Sequence, residues 1–306
     1  VMQDMVPELD DLRRKRIFGD NELRQIVKRR RDFEYGLQKA PPKQQDYLSY
    51  IRYEVALECL RHCRSKALHW RRRTISDFAG VRRLHGIFDR GTKKFKGDLR
   101  MWYQHVDFCL RSGSTKALSR VLTRALKFHP REVHLWLLAA DRELKCGHIK
   151  AARALLVRGL RFAPTSSKLW GEFLRLEVRV ALRLRATRAS GEEGLVPGEG
   201  KPAEPTASPW APVRLLFRRG AGRLAPSPRA AATFLEQAVE CLREAQENAG
   251  EVEDGLGDFA GEVRAALGEH RPGVAQGSAW DEAPEDVALS MWRLWWAHER
   301  HCGSAW

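Results

Sequence analysis

Three residues near the end of the chain, His298, His301 and Cys302, are of the types that bind zinc, and their spacing gathers them within about one helical turn. A structural zinc site takes four ligands. No fourth stands beside these three, so they read as a solvated helix end. Six cysteines, at 59, 63, 109, 146, 241 and 302, show no CxxC and no regular disulfide spacing. They read as reduced thiols in or near a core. No Gly-rich phosphate loop, HExxH motif or nucleophile elbow occurs. The chain therefore offers no catalytic group, no metal ligand set and no cofactor site by motif, and is expected not to be an enzyme or to take a small-molecule substrate.

Cationic runs are the better chemical lead. Lys28-Arg29-Arg30-Arg31, Arg71-Arg72-Arg73, Arg82-Arg83 and Lys93-Lys94-Lys96 could each neutralise phosphates, and every such contact adds to the salt dependence of binding. A single run can equally be a solubilising face. Their distribution favours the first reading. Residues 1–188 carry 43 Lys and Arg against 20 Asp and Glu, a net of +23. Residues 189–306 carry 11 against 19, a net of −8, and the two sum to the overall +15. A basic front half expects an anionic neighbour. No RRM, KH or zinc-knuckle pattern accompanies it, so base-specific readout is not expected. No window reaches 18 apolar residues, and no membrane span or membrane partner is expected. The chain starts at Val1 and stops at Trp306 inside what reads as a helix, as a fragment would.

The elements that must carry these charges follow a 34-residue beat. Trp102, Trp136 and Trp170 are spaced by 34. At the same offset Ala117 meets Ala151, Leu122 meets Leu156, Arg124 meets Arg158, Phe128 meets Phe162, Pro130 meets Pro164 and Glu143 meets Glu177. A fixed period of this length marks stacked helical repeats. Each unit reads as two helices. In the first, Trp136, Ala139, Ala140 and Leu144 make one apolar stripe, and Cys146-Gly147 ends it. The second runs from about Ile149 to Ala163, and Pro164 stops it. The tryptophan is expected in the core between helices, with Ala117, Ala151 and Gly159 letting second helices approach closely. Joint recurrence predicts ion pairs within a unit: Glu143 with Arg158, Glu177 with Arg219, Glu54 with Arg90. Cys109 replaces the acid in one unit, so Arg124 needs another acceptor.

The beat weakens outward. Tyr47 stands before Glu54 as Trp136 stands before Glu143, and Lys96 replaces the proline. Downstream, "LLFRRG" at 215–220 resembles "LLVRG" at 155–159, and residues 234–246 and 259–267 look like degenerate helices. Trp292, Glu299, Cys302 and Gly303 repeat the spacing of Trp136, Glu143, Cys146 and Gly147. Residues 189–212, rich in Gly, Pro and Glu, read as a flexible insertion, with a second loop around 271–283. The expected organisation is a helical N-terminal region over 1–40 and a repeat array over 41–306, degenerate towards its end.

The N-terminal region reads as two helices. The second opens with the N-cap residue Asp20 and carries the stripe Leu23, Ile26, Val27, Arg30, Phe33 and Leu37. An arginine in an apolar stripe suggests a face shared between the first repeat and a partner, through Ile26 and Phe33 or through Lys28, Arg29, Arg30 and Arg31.

The tandem Trp units resemble HAT repeats, the half-a-tetratricopeptide units of RNA-processing proteins. The block "VPELDDLRRKRIFGDNELRQIVKRRRDFEYGLQ" with "DYLSYIRYEVALECLR" resembles the signature region of the U-three small nucleolar RNA-associated HAT-repeat proteins. Its matching positions include Glu8, Asp11, Phe18, Glu22, Arg30, Phe33, Glu34, Tyr50 and Glu54. The resemblance implies an all-α, right-handed solenoid of HAT helix pairs with a helical cap. It also implies a nucleolar, nuclear scaffold of the small-subunit processome. The partners it implies are β-propeller subunits, the ribosomal RNA precursor and the guide small nucleolar ribonucleoprotein. Two other readings stay open: a HAT scaffold of splicing or messenger RNA 3′-end processing, and a peptide-binding repeat adaptor.

Overall fold

A computed structural model of the chain describes residues 5–38, 41–70, 72–189, 208–249 and 254–269. Among them all regular structure is helical. The helices are α1 (Val6–Arg14), α2 (Asp20–Gln38), α3 (Gln44–Ala67), α4 (Ser76–Lys94), α5 (Leu99–Arg111), α6 (Thr115–Phe128), α7 (Val133–Lys145), α8 (Ile149–Phe162), α9 (Ser167–Ala189), α10 (Ala211–Leu224), α11 (Pro228–Ala249) and α12 (Asp254–Glu269). No described helix is long and apolar enough to cross a membrane. The chain divides into two compact units, Val1–His129 and Pro130–Trp306.

The recurring residues do recurring work. Trp102, Trp136 and Trp170 are 0%, 2% and 8% exposed, as their spacing predicts. Each indole N–H donates to a carbonyl six residues earlier: Trp102 to Lys96 at 2.9 Å, Trp136 to Pro130 at 2.8 Å and Trp170 to Pro164 at 2.8 Å. A buried indole donor needs such a partner. The closing proline thus ends one helix and anchors the aromatic of the next. Trp102 and Trp136 also stack on Phe128 and Phe162, with centroids 6.0 Å apart in both. The first helices end alike. Gly113 and Gly147 take left-handed φ of 64° and 79°, and Ser114 and His148 then donate back to Cys109 and Glu143. This is the Schellman closure that glycine permits at no steric cost.

A glycine sits under two of the three tryptophans. A Cβ on Gly159 would lie 3.0 Å from Trp136 Cγ, and one on Gly220 would lie 3.2 Å from Trp170 Cε3. Gly159 therefore admits the tryptophan of its own unit; it does not bring second helices together, and Ala151 is exposed. Gly220 occupies the same place as Gly159, so the resemblance between 215–220 and 155–159 is structural and α10 pairs with α9. The insertion expected over 189–212 is shorter at its far end: Trp210 is fully buried and Pro212 opens α10. Residues 190–207, 270–306 and Arg71 lie outside the described residues, and with them Trp292, Glu299, Gly303 and the His298–His301–Cys302 group. The stretches at 234–246 and 259–267 are the apolar faces of α11 and α12, which bury Phe234, Ala238, Phe259 and Val263.

The predicted ion pairs do not form. Glu143 pairs with its neighbour Arg142 and with His148, at 2.9 Å. Glu177 takes Arg153 on α8, at 2.6 and 2.8 Å, while Arg158 and Arg219 are exposed. Arg90 and Arg124, 34 apart, follow a different rule. Each reaches back from a second helix to the previous second helix: Arg90 to Glu34 on α2, and Arg124 to Asp89 on α4, both at 2.7 Å. The arginine ties successive helix pairs rather than the two helices of one pair. Cys59, Cys63 and Cys146, expected in or near a core, are exposed, whereas Cys109 and Cys241 are buried.

Candidate functional site

The C-terminal half of α3 with α4, α5 and α6 encloses a groove of about 1450 Å³ within the first unit. Its lining is apolar and cationic at once. Val55, Trp70, Phe78 and Phe108 supply hydrophobic surface, and Val55, Trp70 and Phe78 are among the exposed large apolar side chains. Eight basic side chains face three acidic ones there. Arg61 is held by Glu58 and Asp77, and Arg124 by Asp89. Lys66, Arg72, Arg73, Arg82 and Arg120 are exposed and make no ion pair among the described residues. A concave, water-accessible surface with surplus positive charge concentrates anionic ligands.

The structure sorts the predicted contact residues into three groups. Arg72, Arg73 and Arg82 converge on the groove. Lys28, Arg29 and Arg31 on α2, and Lys93 and Lys94 at the end of α4, are exposed but do not line it. Arg30, Arg83, Ile26 and Phe33 turn inward. Ile26 lies in the core formed by Leu12, Ile17, Phe18 and Leu23. Phe33 stacks on Tyr50 with centroids 5.0 Å apart. Ile26 is thus a packing residue, and Phe33 is half-buried.

Arg30 explains itself in the same way. It donates to Glu54 at 2.7 and 3.0 Å and to Glu8 at 3.3 Å. Arg83 completes the set, contacting Glu8 at 3.2 Å and Glu54 at 3.4 Å, with a second bond to Glu8. Two guanidinium groups and two carboxylates thus neutralise each other out of water, which is what makes a buried charge tolerable. Burial pushes Glu8 upward, but its hydrogen bonds to and charge attraction by Arg83 and Arg30 hold its carboxyl below the usual range. Around this tetrad, Asp11 accepts from the Ser76 backbone at 3.1 Å and from the Thr74 hydroxyl. Glu22 binds Arg64 at 2.8 and 2.9 Å and accepts from the Gly19 backbone, which moves the cap from Asp20 to Gly19. Asp20 instead pairs with Arg13 at 2.6 Å.

The positions that carried the family resemblance are therefore the ones that fasten α1 and α2 to α3 and α4. Residues 2–83 match the family described as U3 small nucleolar RNA-associated protein 6. The N-terminal block is thus similar to the U3 small nucleolar RNA-associated protein 6 family. Curated relatives agree. The U3 small nucleolar RNA-associated protein 6 of Schizosaccharomyces pombe is 40% identical over 130 residues, 42% of this chain and 27% of that protein. The homologs of Mus musculus and Homo sapiens are 30% and 31% identical over 129 residues, 42% of this chain and 22% of each protein. The matched stretch thus spans about a quarter of these U3 small nucleolar RNA-associated proteins.

One feature beside the groove had little signal in the sequence. His85 on α4 meets His105 and Cys109 on α5. Burial lowers the His85 imidazole, lowers that of His105 to about 4, and raises the Cys109 thiol to about 11. Only the four-residue step from His105 to Cys109 is visible in the chain.

Proposed function

We propose that this chain is a non-catalytic helical scaffold of the small-subunit processome, acting in the nucleolus on processing of the small-subunit ribosomal RNA precursor. The observation that carries the reading is the family match over residues 2–83. The relatives are U3 small nucleolar RNA-associated by name. The recurring Trp–carbonyl bonds and glycine seats support HAT-type helix pairs, and the resemblance extends this to a right-handed solenoid. The groove on α3–α6 supports contact with an anionic partner, and its exposed Trp70 and Phe78 suit a protein segment as well as RNA backbone. β-Propeller subunits, the ribosomal RNA precursor and the small nucleolar ribonucleoprotein are the partners this reading assigns.

Affinity capture of the tagged chain from nuclear extract, with identification of bound RNA and protein, tests it. Enrichment of U3 small nucleolar RNA with precursor ribosomal RNA and propeller subunits is expected. Recovery of splicing or 3′-end cleavage factors without U3 RNA would replace this reading with the splicing or end-processing scaffold.

A further inference from the structure

Two imidazoles that line the groove meet a buried thiol behind them. His105 and Cys109 are one turn apart on α5, and His85 reaches them from α4. One nitrogen of each ring and the cysteine sulfur lie within 4.8 Å of one another. His85 Nδ1 stands 3.2 Å from His105 Nε2. The other ring nitrogens, His85 Nε2 and His105 Nδ1, are buried without a hydrogen-bond partner. Phe88 stacks on His105 at 4.7 Å and Phe108 meets His85 edge-on at 5.0 Å, so both rings are fixed in orientation. His85 and His105 border the groove, which gives a small ion a route in.

A zinc ion between His85 Nδ1 and His105 Nε2 would replace their mutual hydrogen bond, while the outer ring nitrogens would still need an acceptor. In a tetrahedral zinc site, two Zn–N bonds of about 2.0–2.1 Å hold their nitrogens about 3.3 Å apart. The separation of 3.2 Å between the two rings is close to that. A sulfur about 2.3 Å from the metal would complete the third position, with Cys109, now within 4.8 Å of both nitrogens, drawn inward. Asp89, one turn beyond His85 and held by Arg124 at 2.7 Å, adds negative charge beside the three.

We infer that His85, His105 and Cys109 bind one zinc ion, with the fourth position open to the groove. Both imidazoles bind as neutral ligands. The Cys109 S–H proton leaves to solvent as the metal–sulfur bond forms. The bound ion clasps α4 to α5.

The test uses the purified chain, freed of metal by chelation and titrated with Co²⁺ and then Zn²⁺. One equivalent of Co²⁺ per chain should bind, giving a thiolate-to-metal charge-transfer band and the intense visible bands of a tetrahedral site, both removed by Zn²⁺. Cys109→Ser should abolish the charge-transfer band. His85→Ala and His105→Ala should each weaken Zn²⁺ binding by at least about tenfold, the lower bound for disturbing even an outer-shell partner. A variant with Cys59, Cys63, Cys146 and Cys302 all changed to Ser should keep the band. Absence of stoichiometric Co²⁺ binding by the wild-type chain overturns the site. So does a band that survives Cys109→Ser, or one that vanishes in the four-cysteine variant. Should Cys109→Ser fail to fold, His85→Ala at the half-buried ring decides: unchanged affinity overturns the site.

Discussion

The indole N–H of Trp136 donates to the carbonyl of Pro130 at 2.8 Å, while the same indole covers Gly159 so closely that a Cβ there would lie 3.0 Å from Trp136 Cγ. One side chain thus fixes the joint before its helix and the helix after it. Trp136→Phe keeps most of the ring and removes the donor, and should cost about 1–3 kcal/mol by leaving the Pro130 carbonyl short of a partner. Trp136→Ala should cost about 3–5 kcal/mol. Urea unfolding of the two variants measures both.

The glycine seats give a prediction of opposite signs on one helix. A Cβ on Gly220 would lie 2.7 Å from Phe234 Cζ, whereas one on Gly222 meets nothing within 4 Å. Phe234 is fully buried and cannot yield. Gly220→Ala should therefore destabilise by about 1–3 kcal/mol through overpacking. Gly222→Ala should stabilise by about 0.5–1 kcal/mol, because alanine loses less backbone entropy in a helix. Thermal unfolding distinguishes them.

Breaking the tetrad should be costly. Arg30→Met leaves Glu8 and Glu54 short of a counter-charge in a site shut off from water. A loss of about 3–5 kcal/mol is expected. Adding Glu54→Gln should recover part of it, and a double-mutant cycle measures how much.

Acid should weaken the first unit through the same groups. Burial raises Glu8 and Glu34, but Arg83 with Arg30, and Arg90, outweigh it and leave both carboxyls below their ordinary 4.5. The folded form then binds fewer protons than the unfolded one. The stabilisation is complete above about pH 4.5 and is lost as pH falls through the lower folded values. The urea midpoint should drop on acidification across that window, and Glu34→Gln should make the drop shallower.

Charge reversal separates the two basic surfaces. Arg72, Arg73 and Arg82 line the groove, and Lys28, Arg29 and Arg31 do not. If the groove receives RNA backbone, replacing its three arginines by Glu should weaken single-stranded RNA binding and reduce the salt slope by about 0.7 for each phosphate no longer neutralised. The triple change on α2 should leave the slope nearly unaltered. Equal effects from both sets would show a diffuse basic surface with no preferred channel.

The helix pairs were legible because tryptophan, glycine and proline act locally: their partners lie one turn or one helix away, at a constant offset. The ion pairs were not, because a long side chain reaches whichever carboxylate the packing presents. Arg90 finds Glu34 at a separation of 56 residues, and Arg124 finds Asp89 at 35. Arg30 was visible as an oddity in an apolar stripe, but its meaning depended on Glu8 and Arg83, which no periodicity links to it. Arg72, Arg73 and Arg82 stood out as runs, whereas Lys66 and Arg120 are isolated cations that only the fold brings into the same groove. His85 lies in a different helix from His105 and Cys109, so no spacing rule could join them.

The tetrad also sets an order in time. Glu8 binds Arg83 across 75 residues of chain. During synthesis at about 5–20 residues per second, Glu8 is made roughly 4–15 seconds, and Arg30 roughly 3–11 seconds, before the last arginine. Until Arg83 is made, Glu8 and Glu54 share Arg30 as their one counter-charge within the tetrad. The family block is thus a single kinetic unit, closed from its far end, and a nascent chain halted before Arg83 presents the cell with an unfinished lock.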